Sequence, residues 1–333
     1  MMQAESNFPR QALLPRVKRW AEEVRAPFLT ASLVPILLGT AVAWAATGQF
    51  QWGYFLLTLV GGVCLHIGAN VSNDYFDHLN TTDDINKEFL RPFTGGSRMI
   101  QRGLLSPKEV LTEALVFFAL GSLIGLYLTW ARGFFVLVLG LIGVFSAFFY
   151  TAPPIRLVSR GVGELFIGLN FGVLMTLGAY MVQTQAFSWQ PVMASIPVSL
   201  LIAAVLYINE FPDYAADKAA GKNHWVVRLG RPRAVAGYEA LMLGTYVSIA
   251  IGVIFGWIPY SAAWGLPLFA LLGFISLPKA LKAVRVARLY HSQSDHLVPA
   301  NAGTVMSHLL TGLLLTAGFV VEGLWRFVVV PTL

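Results

Sequence analysis

Two short stretches of this 333-residue chain set carboxylates at regular steps beside long apolar runs. The first is Asn73-Asp74-Tyr75-Phe76-Asp77, followed by Asp83 and Asp84. The second is Asn209-Glu210-Phe211-Pro212-Asp213, followed by Asp217 and Lys222. Both read asparagine, acid, aromatic, any residue, aspartate, and both then supply a further aspartate. Together they form a degenerate local repeat. Asn209, Asp213 and Asp217 step by four, so they share a face if the helix continues past Pro212. His66, Asn70, Asn73 or Asp74, and Asp77 step by three or four in the same way. Carboxylates bunched like this repel one another unless a cation sits among them. Mg²⁺ takes oxygen ligands and is usually held by one or two carboxylates plus substrate phosphates. Two such half-sites facing each other would bind a diphosphate through two metal ions. Either stretch alone could be a solvated helix end, but two matched stretches are a stronger signal.

The elements that must position these residues are membrane helices. The chain is 56% hydrophobic and 12% charged, with mean hydropathy +0.65. Soluble chains carry about 25% charged residues. A span needs about 20 mostly apolar residues, and nine segments qualify: 27–47, 52–74, 109–130, 133–150, 162–183, 190–211, 234–257, 260–279 and 300–325. With the N-terminus in the cytoplasm, 21 of the 23 Lys and Arg residues fall on the inner side. That is the asymmetry the positive-inside rule requires. Only Arg132 and Arg326 fall outside. The expected fold is therefore an all-α bundle of nine transmembrane helices, N-terminus cytoplasmic, in a multi-pass protein of the cytoplasmic (inner) membrane. Residues 1–26 form a basic cytoplasmic or interfacial segment, and residues 27–333 a single transmembrane domain. Both acidic stretches then close even-numbered helices on the cytoplasmic face, where the active site is expected.

The net charge of +6 has this topological explanation, so no nucleic-acid partner is inferred. The single cysteine, Cys64, excludes an internal disulfide and a thiol-rich metal site. Among the cations, Lys222 and Arg228 follow the second acidic stretch and Arg156 follows "YTAPP". A leaving diphosphate needs such groups to stabilise its developing charge. Arg160, Arg231, Arg233 and the basic residues between the last two helices read as topological anchors. Arg25 is a weaker candidate. His66 reads as a packed, hydrogen-bonded histidine, and Glu164 as a first-turn acid favoured by the helix dipole. Asn170, Asn301 and His308 read as bonds across helices.

"NDYFD" with Asp83, "YTAPP", and "NEFPDYAADKAAGK" followed by "VVRLG" resemble the two aspartate motifs and the intervening loop of the UbiA superfamily of intramembrane prenyltransferases. "GGSRMIQRGLLSP" and the six-residue step from Asp77 to Asp83 are most similar to the branch that prenylates 1,4-dihydroxy-2-naphthoate in menaquinone synthesis. Arg91-Pro92 departs toward the 4-hydroxybenzoate branch. The resemblance implies a Mg²⁺-dependent prenyltransferase whose partners are a polyprenyl diphosphate, an aromatic acceptor and membrane lipid. It implies one ion on Asp77 and Asp83 with Asp74 nearby, and a second on Asp213 and Asp217. Asn73 and Asn209 would position metal or diphosphate. Lys222, Arg156, Tyr150 and Arg228 would bind phosphate oxygens. Asp77, Asp213 and Lys222 are the implied catalytic residues.

Two other classes compete. A cation transporter would put its acids near the midplane, whereas these lie at helix exits. A non-catalytic lipid-binding protein of the same fold is the second rival.

Overall fold

The computed structural model describes residues 16–260 and 263–329. Expectations for residues 1–15 of the N-terminal segment lie outside the described residues. The described chain is helix and turn with no strand. A short amphipathic helix α1 (Arg16–Glu23) precedes a 3-10 turn (Ala26–Leu29) that leads into α2 (Thr30–Thr47). The long α3 (Trp52–Leu79) follows, then one helical turn, α4 (Thr82–Ile85). A loop over 86–105 leads to α5 (Pro107–Arg132) and α6 (Phe134–Phe148). Helices α7 (Gly163–Gly168) and α8 (Met175–Thr184) are continuous through a π-helical stretch, Leu169–Leu174. Then come α9 (Trp189–Ala219), α10 (Trp225–Leu229) and α11 (Arg231–Trp257). A 3-10 segment (Leu268–Ser276) runs into α12 (Leu277–Tyr290), and α13 (Val298–Leu324) ends the bundle.

Among the described residues, seven helical segments are long and apolar enough to cross a membrane: Ala26–Thr47, Trp52–Leu79, Pro107–Arg132, Gly163–Thr184, Trp189–Ala219, Arg231–Trp257 and Val298–Val329. Helix α6 is apolar but only 15 residues long. The expected helix at 260–279 lies further along the chain, at Leu268–Tyr290. Lys279, Lys282, Arg285 and Arg288 are thus on α12 rather than in a loop. The helix begins in a tighter 3-10 form behind Pro267, and its second half alternates Lys or Arg with buried Ala280, Ala283, Val284 and Ala287. A hydropathy window stops where that basic stripe starts.

Helix ends follow local chemistry. Ser106 caps α5 and Glu109 returns the bond, a reciprocal capping box. Pro35, Pro197 and Pro212 all sit inside helices, as membrane bundles tolerate when neighbours re-satisfy the freed backbone groups. Pro212 therefore does not end α9, which runs to Ala219 and carries both Asp213 and Asp217.

Helix α3 packs along α5, α2 lies between α8 and α13, and α9 runs through the centre against α11 and α13. Small residues permit these approaches. A Cβ on Gly39 would lie 2.1 Å from the carbonyl oxygen of Thr176, so α2 and α8 touch backbone to backbone there. The main core gathers on α9 and its neighbours, including Leu201, Tyr207, Ile208, Phe211, Tyr238 and Met242. The central helix is thereby fixed, and with it the acids at its end.

Candidate active site

The last two turns of α3 carry Asn73, Asp74 and Asp77. Thr81, in the left-handed region at φ 64°, turns the chain so that α4 returns Asp83 beside them. The last three turns of α9 carry Asn209, Glu210, Asp213 and Asp217. The two helix ends meet across a cleft of about 140 Å³ lined by Asn73, Asp77, Asp83, Asn209, Asp213, Asp217 and Lys222, among others. Lys222 joins the halves. Its Nζ donates to Asp77 Oδ2 at 2.7 Å and lies 3.6 Å from Asp217 Oδ1. Burial works against the ammonium, but Asp77 and Asp217 outweigh it and hold Lys222 well above the ordinary lysine value.

Acid exceeds base in this cleft. Asp77, Asp83, Glu210, Asp213 and Asp217 line it against Arg25, Lys222 and His224. Burial, then Asp77 and Asp74, pushes the Asp83 carboxyl up to about 8, so a further cation is wanted there. Among the buried oxygens without a hydrogen-bond partner are Asp74 Oδ1, which has only Arg25 Nη1 at 3.9 Å, and Asp83 Oδ2. Both lie against Gly96. A Cβ built on Gly96 would lie 2.6 Å from the first and 2.9 Å from the second. Neighbouring carboxylate oxygens that no hydrogen-bond donor satisfies, packed against a glycine that gives them room, are the ligand type that a hard divalent cation takes.

The other predicted residues divide clearly. Asn73 Nδ2 donates to Thr151 Oγ1 at 2.7 Å, and Asn301 Nδ2 donates to Asn209 Oδ1 at 2.7 Å. Asn301 is thus a cross-helix bond, as read from sequence. Asp74 stands behind the cleft wall, where its Oδ2 accepts the Ser97 backbone N–H at 2.8 Å. Tyr150 lines the cleft with a buried, unpartnered hydroxyl. Arg156 is exposed and does not line the cleft. Arg228 is also exposed, and its guanidinium donates to the carbonyls of Asn223 and Arg160. The structure does not bring these two arginines to the acids.

Arg25, the weaker candidate from sequence, reaches the cleft, 3.9 Å from Asp74. Other site residues escape a reading of the sequence. Asn86 donates to Asp213 Oδ1 at 2.7 Å. Glu23 is fully buried at the end of α1, where Ser97 Oγ donates to it. Burial and then Asp74 push its carboxyl up to about 9. His224 lies between Asp217 and Glu210, with ring nitrogens 3.0 and 3.2 Å from their oxygens. Burial pulls its imidazole down, but Glu210 and Asp217 outweigh that and raise it to about 10. Glu164 is more than a first-turn acid, since it is buried and accepts the Trp225 N–H at 2.6 Å. The cue for Glu210 was its place in the repeat. Glu23, Asn86 and His224 have no local signal, because long-range packing brings them in.

Below the cleft lies an apolar cavity of about 330 Å³ between α2, α3, α5, α6, α8 and α9. Arg25, Asn73, Tyr150, Leu206 and Asn209 line both spaces, so the two open into one another. His66 also lines the apolar cavity, with Nδ1 2.7 Å from Ser32 Oγ.

A polytopic helical membrane protein with an acid- and lysine-lined cleft above a greasy cavity is built for an amphiphile with a charged head. The chain belongs to the UbiA prenyltransferase family, whose sequence model matches residues 32–298. It is 31% identical to the 2-carboxy-1,4-naphthoquinone phytyltransferase of Synechocystis, over 92% of this chain and 94% of that one. It is 29% identical to the 1,4-dihydroxy-2-naphthoate octaprenyltransferase of Escherichia coli, over 91% of this chain and 95% of that one. The fold is also that of a UbiA homolog from Aeropyrum pernix (TM-score 0.65, 17% identity, 89% of this chain and 98% of that one). A homolog from Archaeoglobus fulgidus, solved with GPP and Mg²⁺, superposes with TM-score 0.60 at 16% identity over 91% of this chain and 99% of that one.

Proposed function

We propose that this protein transfers a prenyl chain from a polyprenyl diphosphate to 1,4-dihydroxy-2-naphthoate, with loss of CO₂, in the cytoplasmic membrane. The observation that carries this reading is the junction of the acid cleft with the apolar cavity. A diphosphate head and a polyprenyl tail are chemically opposite, and the two spaces match them in order. Asp77 and Asp83, with Asp74 behind them, are the residues to hold one Mg²⁺, and Asp213 and Asp217 a second. When bound, the metal supplies positive charge to the diphosphate and makes it a better leaving group. Lys222 adds a fixed ammonium at the same place.

The chemistry begins with cleavage of the bond between the allylic carbon and oxygen. The diphosphate leaves with the electron pair. The Asn73, Tyr150 and Asn209 side chains mark the level at which that carbon sits. Water is excluded below them by the apolar wall, which protects the cation from hydrolysis. The electron-rich ring then forms the new carbon–carbon bond at the carboxylated position. Loss of CO₂ from the carboxylate returns its electron pair to the ring and restores the aromatic hydroquinone, with no net proton taken up.

Product analysis tests the acceptor. The purified protein is expected to release one CO₂ per prenylated product from dihydroxynaphthoate and to turn over 4-hydroxybenzoate poorly. A second ring's worth of apolar contact can be worth a few kcal/mol, about a hundredfold in selectivity. Prenylated hydroxybenzoate with its carboxylate retained, and no reaction of dihydroxynaphthoate, would refute the acceptor while leaving prenyl transfer intact.

The topology belongs to the same reading: nine spans, N-terminus inside, with the active site on the cytoplasmic face. Asp77 and Lys222 are in contact, so the ends of α3 and α9 lie on one side of the membrane. An even number of crossings between them fits this, and α5, α6, the α7–α8 segment and α9 supply four. Likewise, Glu88 bonds both Arg231 and Ser294 at 2.8 Å, which supports α11 and the Leu268–Tyr290 segment crossing as a pair. Cysteine labelling of residues 86–105 in a Cys64-free protein checks this. Label arriving only from the outer side would sink the model.

A further inference from the structure

One buried histidine stands beside the second acidic stretch and has no part in the mechanism above, although one of its two partners, Asp217, does. His224 caps α10 and is 1% exposed. Its Nε2 lies 3.0 Å from Asp217 Oδ2, and its Nδ1 lies 3.2 Å from Glu210 Oε2 and 3.4 Å from the Val227 backbone nitrogen that it caps. Glu210 and Asp217 are two turns apart on one face of α9, so the imidazole spans that face like a strut. The strut is anchored from outside α9. Glu164, at the start of α7, accepts the backbone N–H of Trp225, and the Trp225 indole donates to Gly161 O at 2.8 Å. The residue after His224 is therefore held at two points.

The consequence falls on Asp217. Its Oδ2 is taken by His224, while its Oδ1 faces Lys222 in the cleft. Without the imidazole, the carboxylate could turn about its own side-chain bonds and offer both oxygens to the Lys222 ammonium. A metal ligand that is free to rotate binds weakly, and an outer partner that fixes it typically sets 10- to 100-fold in affinity.

We infer that His224 is a positioning residue, braced by Glu210, which fixes the Asp217 carboxylate so that its Oδ1 alone faces the cleft. The inference rests on Asp217 being a ligand of the diphosphate-bound metal. A different arrangement of the same side chains would be a cation held by Glu164, Glu210 and His224 themselves, whose ligand atoms lie within 4.8 Å of one another. Both ring nitrogens already face carboxylates, which disfavours it.

The test is Mn²⁺ binding to the full-length protein, read by electron paramagnetic resonance with a non-hydrolysable prenyl diphosphate analogue present. Product formation against Mg²⁺ concentration is measured in parallel. The variants are His224→Asn, His224→Gln, Glu210→Gln and, as reference, Asp217→Asn. An asparagine amide reaches the level of Nδ1, whereas a glutamine amide reaches that of Nε2 and can still donate to Asp217. His224→Asn is expected to weaken Mn²⁺ binding about 10- to 100-fold and to raise the Mg²⁺ requirement equally, with kcat at saturating Mg²⁺ largely kept. His224→Gln should restore most of the affinity, and Glu210→Gln should fall between. A merely structural role would lower kcat at every Mg²⁺ concentration without moving half-saturation, and that result overturns the inference. Loss of one bound Mn²⁺ with unchanged affinity for the rest also overturns it, in favour of a cation on the cluster. If Asp217→Asn leaves Mn²⁺ binding intact, the ligand assignment itself is wrong. If Asp217→Asn weakens binding and His224→Asn does not, only the positioning role is lost.

Discussion

Asp213→Ala and Asp77→Ala are each expected to abolish prenyl transfer in a protein that still folds. Each removes a carboxylate from one side of the cleft, but the two losses differ in kind. Asp213 is fixed by Asn86, which donates to its Oδ1, so its removal frees an amide and deletes a proposed ligand. Asp77 is the direct partner of Lys222, so its removal also releases the ammonium toward Asp217. Metal-derived stabilisation of a leaving diphosphate is worth several kcal/mol, and each 1.36 kcal/mol is about tenfold in rate. Turnover should therefore fall by roughly a thousandfold or more. Neither acid is needed for the core on α9, which is built from Leu201, Tyr207, Ile208 and Phe211, so the unfolding temperature should stay near that of the parent. EDTA should silence the parent, and added Mg²⁺ should restore it but not the variants. Turnover within tenfold of the parent, at the parent's Mg²⁺ requirement, would show that these acids do not hold a catalytic metal.

Much of this site was legible because it is written locally. The four-residue step of Asn209, Asp213 and Asp217 places them on one face of a helix, and α9 does continue through Pro212 to carry them. The repeat at Asn73–Asp77 marks the other wall by the same logic. Legibility fails where a contact depends on chain reversal. Glu23, Asn86 and Gly96 approach the acids only because α1 and the loop over 86–105 fold back across the end of α3. No periodicity encodes that return. Basic residues are ambiguous for another reason: a membrane chain places them at its inner face whether or not they bind anything. Arg156, Arg228 and Lys222 look alike on that ground, yet of the three only Lys222 lines the cleft. The Leu268–Tyr290 helix was displaced in the sequence reading because its second half trades apolar residues for a basic stripe against buried alanines.

Gly96→Ala should be as damaging to activity as loss of an aspartate, although it removes no functional group. Gly96 has φ +67°, in the region that favours glycine. A left-handed non-glycine residue costs about 1–2 kcal/mol, which destabilises but does not by itself inactivate. The larger effect is steric and local. The new methyl would stand 2.6 Å from Asp74 Oδ1 and 2.9 Å from Asp83 Oδ2, two oxygens with no hydrogen-bond partner beside the proposed metal site. One or both carboxylates must rotate away, and the space left by the glycine is filled with carbon. Gly103→Ala supplies the control. Gly103 has φ +64° in the same loop, but a Cβ there meets nothing within 4 Å. It carries the backbone cost without the obstruction. Both variants should unfold at similarly lowered temperatures, while only Gly96→Ala should lose Mg²⁺-dependent product formation and Mn²⁺ binding with the diphosphate analogue. Equal activity in the two variants would mean that the carboxylates beside Gly96 need no fixed position to hold the cation. Selective loss in Gly96→Ala would support the assignment of the metal to Asp83 and Asp77, with Asp74 behind them.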